Sequence, residues 1–204
     1  MLNVEILISL VGGYLLGSIP FGLVLAKLAG LGDIRAIGSG NIGATNVLRT
    51  GRKDLALLTL LLDAGKAGIA ALIFGAFFAH PATLIAGGAA LFGHCFPVWL
   101  KFKGGKGVAT YFGVLFATAW PIALIAAAVW LVSALLTRIS SLSALLASIG
   151  APIAAFLLGR TDIAIMSAIL SAVILIRHKD NIGRILAGTE PKIGKKKSNQ
   201  EDTE

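Results

Sequence analysis

Three segments rich in glycine and basic residues hold the side chains best suited to bind a phosphorylated substrate. The first reads GSGNIGATNVLR over residues 38–49. Glycine-rich loops expose backbone N–H groups that can turn inward on an anion. A helix predicted to begin near Ala44 would add the positive end of its dipole. The segment therefore predicts a phosphate-sized anion site, with Arg49 one helical turn beyond it.

The second segment, KFKGGKG over residues 101–107, interleaves lysines with glycines. Glycines let the backbone approach a ligand closely, and lysines supply mobile positive charge. It is not a Walker A loop, because the Gly-x4-Gly-Lys-Ser/Thr spacing is absent. Lysines beside a bilayer can also attract lipid headgroups without a shaped site. The interleaved glycines favour a shaped site over that alternative.

The third segment reads RHKDNIGR over residues 177–184 and is followed by Gly188 and Glu190. His178 and Asn181 are three residues apart, so one helix would present both on the same face. His178 could carry a proton or act as a neutral donor. The alternative is a solvated histidine at a helix end, where it would only favour the dipole.

Two smaller polar groups complete the candidates. The segment RISSLS, residues 138–143, supplies hydroxyls that could bind a ligand or cap the next helix. Asp63 and Lys66 lie three residues apart inside an apolar segment, where ionisable groups are costly and should pair or face the bundle interior. We favour a structural ion pair there over direct ligand contact, and expect His94 to be a packing residue.

The composition indicates an integral membrane protein. Of the 204 residues, 56% are hydrophobic and 14% are charged, well below the roughly 25% charged residues of soluble domains. One cysteine, Cys95, excludes an internal disulfide and a cysteine-rich metal site. The net charge of +8 does not require nucleic acid, because membrane proteins retain Lys and Arg on the cytoplasmic side.

The elements that must position these segments are all helices. Charge-free stretches and Pro/Gly punctuation predict seven membrane spans, at residues 4–27, 54–79, 82–100, 107–118, 120–137, 142–158 and 162–177. The fourth is too short to cross a bilayer upright, so five or six spans stay open if it is re-entrant. Of the 18 Lys and Arg residues, all but Lys66 and Arg160 then fall on one face. The positive-inside tendency makes that face cytoplasmic, with the N-terminus outside and the C-terminus in the cytosol. We expect a membrane domain over residues 1–191 and a charged, disordered tail over 192–204.

Absent motifs narrow the chemistry. The chain has no His-x4-Asp motif of acyl-CoA-dependent acyltransferases, no His-Glu-x-x-His, no Gly-x-Ser-x-Gly and no aspartate-rich Mg²⁺ motif. We therefore expect no metal and no cofactor. A reaction that needs mainly the positioning of two anionic reactants and the neutralisation of charge fits best. Acyl transfer from an acyl phosphate is such a reaction.

These motifs, in this order, resemble those of the bacterial acyl-phosphate:glycerol-3-phosphate acyltransferases. The resemblance rests on residues 38–49, on Gly93-His94-x-Phe96-Pro97 leading into residues 102–110, and on residues 177–190. It covers roughly residues 10–191. It implies a seven-span enzyme that acylates the sn-1 hydroxyl of glycerol 3-phosphate to give lysophosphatidic acid and phosphate, the first step of phospholipid synthesis.

The resemblance also implies roles for individual residues. The acyl-phosphate cradle would comprise Ser39, Gly40, Asn41, Ala44, Thr45 and Asn46. The glycerol 3-phosphate side would comprise Arg49, Ser141, His178 and Asn181. Lys106 would be shared by the two phosphates, so the catalytic set is His178, Asn181, Lys106 and Arg49. Glu190 would be a structural support, as we expect for Asp63 and Lys66, and the proton acceptor is either His178 or a substrate phosphate.

The resemblance places the enzyme in the bacterial inner membrane, with its active site at the cytoplasmic face. Its partners would be acyl phosphate, glycerol 3-phosphate and membrane lipids, with no nucleic acid. A soluble enzyme that makes acyl phosphate is a further candidate partner. Two other classes stay open: a transporter of a phosphorylated metabolite, which Asp63 and Lys66 would suit, and a lipid-binding scaffold, which would leave the Gly-Ser-Asn-Thr pattern unexplained.

Overall fold

The computed structural model describes residues 4–78 and 80–194, and in these ranges the chain is helical without β-strands. This confirms the all-α prediction. Two short 3₁₀ turns, at residues 34–36 and 98–100, lie between the helices. The nine α-helices of the described ranges are α1 (Val4–Gly17), α2 (Phe21–Leu28), α3 (Ala44–Leu48), α4 (Lys53–Phe77), α5 (His80–Cys95), α6 (Val108–Thr137), α7 (Ser140–Leu157), α8 (Thr161–Arg177) and α9 (Lys179–Leu186).

Five helical segments are long and apolar enough to cross a membrane, and six are when α8 and α9 are counted as one broken span. Many of their large apolar side chains are exposed, Phe77 and Leu136 among the most exposed, at 78% and 80%. That exposure suits a lipid environment. The chain is therefore a multi-pass membrane protein, although this count is smaller than the predicted seven. Of the expected tail, residues 192–204, the part from residue 195 onwards lies outside the described residues.

The first predicted span, 4–27, is not one continuous helix. It is broken at residues 18–20 into α1 and α2. Pro20 lacks a backbone N–H and its ring excludes the normal helical path of the preceding turn, so the chain bends there. The segment Val4–Leu28 as a whole is still long and apolar enough to cross a membrane, as predicted, but the break within it was not predicted.

Helix α6 covers both of the predicted spans 107–118 and 120–137. Its backbone leaves the helical conformation at Ala119, where φ is −160° and ψ is 68°. A straight helix of this length would reach ~45 Å. Its flanking residues Lys106 and Ser141 are nevertheless joined through hydrogen bonds by way of Asn181 and Glu190. Therefore α6 folds back at Ala119 as two arms, residues 108–118 and 120–137.

The bundle consequently has two distinct ends. One end carries the loops around residues 29–52, 96–107, 138–139 and 178–194, and we call it the site end. At the other, the far end, the His80 imidazole lies 3.5 Å from the Asp162 carboxylate. Helices α1 and α5 run parallel, since Gly13 packs against Ala86 and Gly17 against Ala90. Both helices therefore begin at the far end.

Small residues set the spacing of the helices. A methyl group added at Gly17 would overlap the carbonyl oxygen of Ala90, and one added at Gly113 would overlap that of Ala64. In a membrane, where lipid tails are as apolar as leucine, such close backbone contact supplies much of the attraction between helices. The α1–α5 contact holds the broken first span against the helix that leads into residues 96–107.

We expect Gly17→Ala to lower the stability of the detergent-solubilised protein by about 1–3 kcal/mol, the usual cost of overpacking. Gly65→Ala is the matched control, because a methyl group there meets open space and alanine favours the helix. Thermal unfolding of both variants tests the expectation. Equal melting temperatures would show that the α1–α5 contact yields without cost.

Candidate active site

Asn46 organises the first glycine-rich loop from within. Its Oδ1 accepts hydrogen bonds from the Ser39 backbone N–H (3.1 Å) and from Arg49 (3.3 Å), while its Nδ2 donates to the Ile34 carbonyl (2.7 Å). Asn46 is only 1% exposed, so it shapes the loop and does not line its open surface. The predicted helix start at Ala44 is confirmed.

The remaining loop residues lie at the surface that Asn46 supports. Ser39, Gly40, Thr45 and Arg49 are exposed, and Asn41 and Ala44 are half-buried. Gly38 and Gly40 have φ of 59° and 67°, a region where a side chain would be strained. The Ser39 N–H donates to Asn46 Oδ1 and the Gly40 N–H donates to the Ile37 carbonyl (3.0 Å), so these bonds hold the turn closed and leave the Ser39 and Thr45 side chains at its surface.

The second segment is fixed by backbone contacts on two sides. The N–H groups of Gly104 and Gly105 donate to the carbonyls of Cys95 (3.1 Å) and His94 (3.0 Å). On the other side, Arg177 donates to the carbonyls of Gly105 (3.0 Å) and Gly104 (2.7 Å). Both glycines are buried and lack space for a side chain. The loop therefore delivers Lys106 to a defined position.

His178 lies outside α8, at the junction where α9 begins with a bend of 66°. His178 is the N-cap of α9, and its carbonyl accepts from the Ile182 N–H (2.8 Å), so His178 and Asn181 lie one turn apart at the start of the same helix. The ring Nδ1 lies 2.8 Å from the Ile174 carbonyl. Because a carbonyl can only accept, Nδ1 carries the hydrogen and leaves Nε2 as an acceptor in the neutral ring. Burial lowers the pKa of His178 to about 4, so the neutral ring is favoured.

The bend brings Asn181 into a hydrogen-bonded cluster around Glu190. The Glu190 carboxylate accepts from Ser141 (2.6 Å), Asn181 (2.5 Å) and Arg184 (2.7 Å). Burial acts to raise the pKa of Glu190, but these three donors outweigh it and lower the pKa. Glu190 is thus held as an anion. Ser141 meets Glu190 and caps no helix, since no side-chain bond caps the start of α7.

Lys106 connects the second and third segments through the Asn181 side-chain oxygen, 2.5 Å from its Nζ. Burial lowers the pKa of Lys106 to about 8, Glu190 opposes this effect, and Arg184 and Arg49 add to it. The charge of Arg49, in the first segment, thus also acts on this ammonium group. Asp180 also opposes the effect, so three cations face two carboxylates, and the site retains capacity for an anionic ligand.

The other predicted residues lie elsewhere. Asp63 and Lys66 form a buried ion pair of 2.8 Å within the bundle, and His94 joins them. Arg177, which holds the glycine loop, and Arg184, which pairs with Glu190, were part of the third basic segment but were not assigned roles. Arg177 bonds backbone carbonyls, and Arg184 bonds a carboxylate that lies beyond the end of α9, so only the basic charge of the segment pointed to them.

Within the described ranges, no group of three His, Cys, Asp or Glu side chains is arranged to hold a metal ion. The donors at the site end are mainly N–H groups and cations. Such groups bind phosphate or carboxylate oxygens and repel metal ions.

Curated relatives match nearly the whole chain. A glycerol-3-phosphate acyltransferase of Maricaulis maris (strain MCS10) is 63% identical over 187 residues, covering 92% of this chain and 87% of that protein. One from Mesorhizobium japonicum is 58% identical over 191 residues, covering 94% of this chain and 97% of that protein.

Solved structures agree with these relatives. Crystal structures of PlsY (YgiH), an integral membrane glycerol 3-phosphate acyltransferase, match with 42% identity over 93% of this chain. The match to the glycerol 3-phosphate form has a TM-score of 0.88 and covers 96% of the PlsY chain. The match to the lysophosphatidic acid form has a TM-score of 0.86 and covers 95% of the PlsY chain. The sequence model described as "Glycerol-3-phosphate acyltransferase" matches residues 7–188. The family resemblance is thereby confirmed, and the chain belongs to the glycerol-3-phosphate acyltransferase family.

Proposed function

We propose that this protein transfers an acyl group from acyl phosphate to the sn-1 hydroxyl of glycerol 3-phosphate, giving lysophosphatidic acid and inorganic phosphate. The observation that carries the proposal is the meeting of the three segments at Lys106, which bonds Asn181 and is acted on by the charge of Arg49. The glycerol 3-phosphate and lysophosphatidic acid forms of PlsY support the acceptor and product. No cofactor enters the proposed reaction.

The two substrates would use different parts of the site. Loop 38–46 would hold the acyl phosphate through Ser39, Gly40, Asn41, Ala44 and Thr45, with Asn46 shaping the loop. Glycerol 3-phosphate would bind Arg49, Ser141, His178 and Asn181. Lys106 would neutralise both phosphates, which keeps two anions together in one pocket. Glu190 would orient Ser141, Asn181 and Arg184 around them.

The reaction can proceed without a strong protein base. The sn-1 oxygen attacks the acyl carbonyl carbon, and the bond from that carbon to the phosphate oxygen breaks. A base works best when its pKa is near the operating pH. Phosphate monoesters have a second pKa near 6, whereas that of His178 is about 4. We therefore assign the proton to a phosphate oxygen and give His178 the role of orienting the hydroxyl.

We propose seven membrane crossings, with the two arms of α6 counted separately and the N-terminus outside. The fold-back at Ala119 supports this count, because it returns Arg138 to the site end. The basic residues concentrated at the site end support a cytoplasmic site by the positive-inside tendency. The location would be the bacterial inner membrane, and a soluble enzyme would supply acyl phosphate from the cytosol.

The purified protein should release phosphate and form lysophosphatidic acid from palmitoyl phosphate and glycerol 3-phosphate. Palmitoyl-CoA should give no product, because the chain lacks the His-x4-Asp motif and the proposed cradle of loop 38–46 would hold the phosphate that is bonded directly to the acyl carbon. Liquid chromatography of the lipid product, with each donor in turn, is the measurement. Product from palmitoyl-CoA alone would reject the proposed donor, and transport of glycerol 3-phosphate into vesicles without conversion would favour a transporter.

Activity should depend on the charge of Lys106. Its ammonium is protonated below its pKa of about 8, so kcat/KM should fall as the pH rises through about 8. In Lys106→Arg this fall in kcat/KM at alkaline pH, the alkaline limb of the profile, should disappear, since arginine stays charged. The overall rate of the variant can be lower without affecting this test. Lys103→Arg, at an exposed lysine of the same loop, is the control and should keep the limb. An unchanged profile in Lys106→Arg would assign the limb to another group.

Replacing His178 separates orientation from base catalysis. We expect His178→Ala to raise the KM for glycerol 3-phosphate and to lower kcat by less than the ~10²-fold typical of a lost general base. Steady-state kinetics in both substrates are the measurement, and His80→Ala at the far end is the control. A loss of 10²–10⁴-fold in kcat with unchanged KM would make His178 the base.

A further inference from the structure

Three buried polar side chains form a network that the proposed reaction does not use. Asp63, Lys66 and His94 are 2%, 6% and 4% exposed. The Lys66 ammonium donates to Asp63 Oδ1 (2.8 Å) and contacts His94 Nδ1 (2.9 Å). Because an ammonium can only donate, His94 accepts at Nδ1. At this depth the three side chains pair with one another and offer no open face to a substrate.

One arm of the network reaches the loop that carries Lys106. The His94 carbonyl accepts from the Gly105 N–H at 3.0 Å. The Gly105 backbone also lies against the His94 ring, since a methyl group there would overlap Nε2. Lys106 is the next residue along the chain. A shift of the His94 ring therefore moves the backbone that positions Lys106.

A second arm reaches the first glycine-rich loop. Lys66 donates to the Ile19 carbonyl at 2.7 Å, at the break between α1 and α2. In a membrane the polar groups freed by such a break need a partner within the protein. Helix α2 begins two residues later, and its Gly22 packs directly against the Ile42 carbonyl. The position of α2 thus constrains the loop of residues 38–46.

We propose that Lys66 is a positioning residue that holds these two loops in register, acting with Asp63 and His94. The inference rests on the proposed function, in which one loop binds the acyl phosphate and the other supplies Lys106. Misplacement of reacting groups by about 1 Å can cost ~10²-fold in rate. A network at the junction of both loops is placed to prevent such a shift.

The test replaces the ion pair as a unit, Asp63→Asn with Lys66→Met, because removing one partner would leave an unpaired buried charge. The loss in kcat/KM is measured in the native background and again in Lys106→Arg. Tyr111→Phe is the control, since its buried hydroxyl bonds Ser148 and Ser171 within the bundle. Amide hydrogen exchange over residues 38–46 and 102–107 gives a readout that does not need activity.

We expect kcat/KM to fall ~10²-fold in the native background. The fall should be clearly smaller in Lys106→Arg, because the contact that Lys106 makes with the substrates is already impaired there. Both loops should exchange faster, whereas Tyr111→Phe should leave them unchanged. A loss in Lys106→Arg that is equal within about twofold would mean independent effects, and a larger loss would mean coupling of the opposite sign; either result would overturn the proposal. Unchanged exchange in either loop would also overturn it.

If the paired variant does not fold, His94→Leu is tested by the same criteria, because it leaves the Asp63–Lys66 pair intact. A native chain that transfers no acyl group would reject the proposed function instead. In that case the exchange measurement alone decides whether the network holds the two loops.

Discussion

The hydrogen bonds to the Glu190 carboxylate are the interaction on which the arrangement of the site depends. Ser141 comes from α7, Asn181 and Arg184 come from α9, and Asn181 passes the contact on to Lys106. A carboxylate among cations offsets their mutual repulsion and gives each donor a fixed direction. Segments far apart in the chain thereby share one pocket, and the pocket still carries excess positive charge for an anionic substrate.

Breaks in helices place polar groups where the reaction would need them. The chain leaves regular helical geometry at residues 18–20, at Ala119 and at His178. Irregular backbone at membrane depth is tolerated only when the protein itself satisfies the freed polar groups. Lys66 does so at Ile19, and the cluster around Glu190 follows the bend at His178. The break at Ala119 returns the chain to the site end, and the bend at His178 brings Asn181 to Glu190, so the interruption of these helices and the placement of the site are linked.

The elements that local chemistry controls were predicted well, and those that packing controls were not. The helix at Ala44 and the interruption between residues 118 and 120 were predicted, since glycine, proline and small polar residues act on their own neighbourhood. The break of the first span at Pro20 and the bend at His178 were missed. An uninterrupted apolar segment predicts one helix, whether or not that helix is broken. Nothing in the segment RHKDNIGR distinguishes a continuous helix from a bent one. Asn46 was predicted as a cradle residue because of its motif, but its burial and its bond to the Ile34 carbonyl are tertiary.

The sequence by itself determined that this is a helical membrane protein with three segments rich in glycine and basic residues, because hydropathy, charge and glycine spacing are properties of the chain alone. Only the tertiary structure decided which side chains meet. The bond from Lys106 to Asn181 and the bond from Lys66 to Ile19 join residues that are 75 and 47 positions apart. Such contacts depend on how helices pack and where they break, and a side chain carries no local signal of a partner that distant.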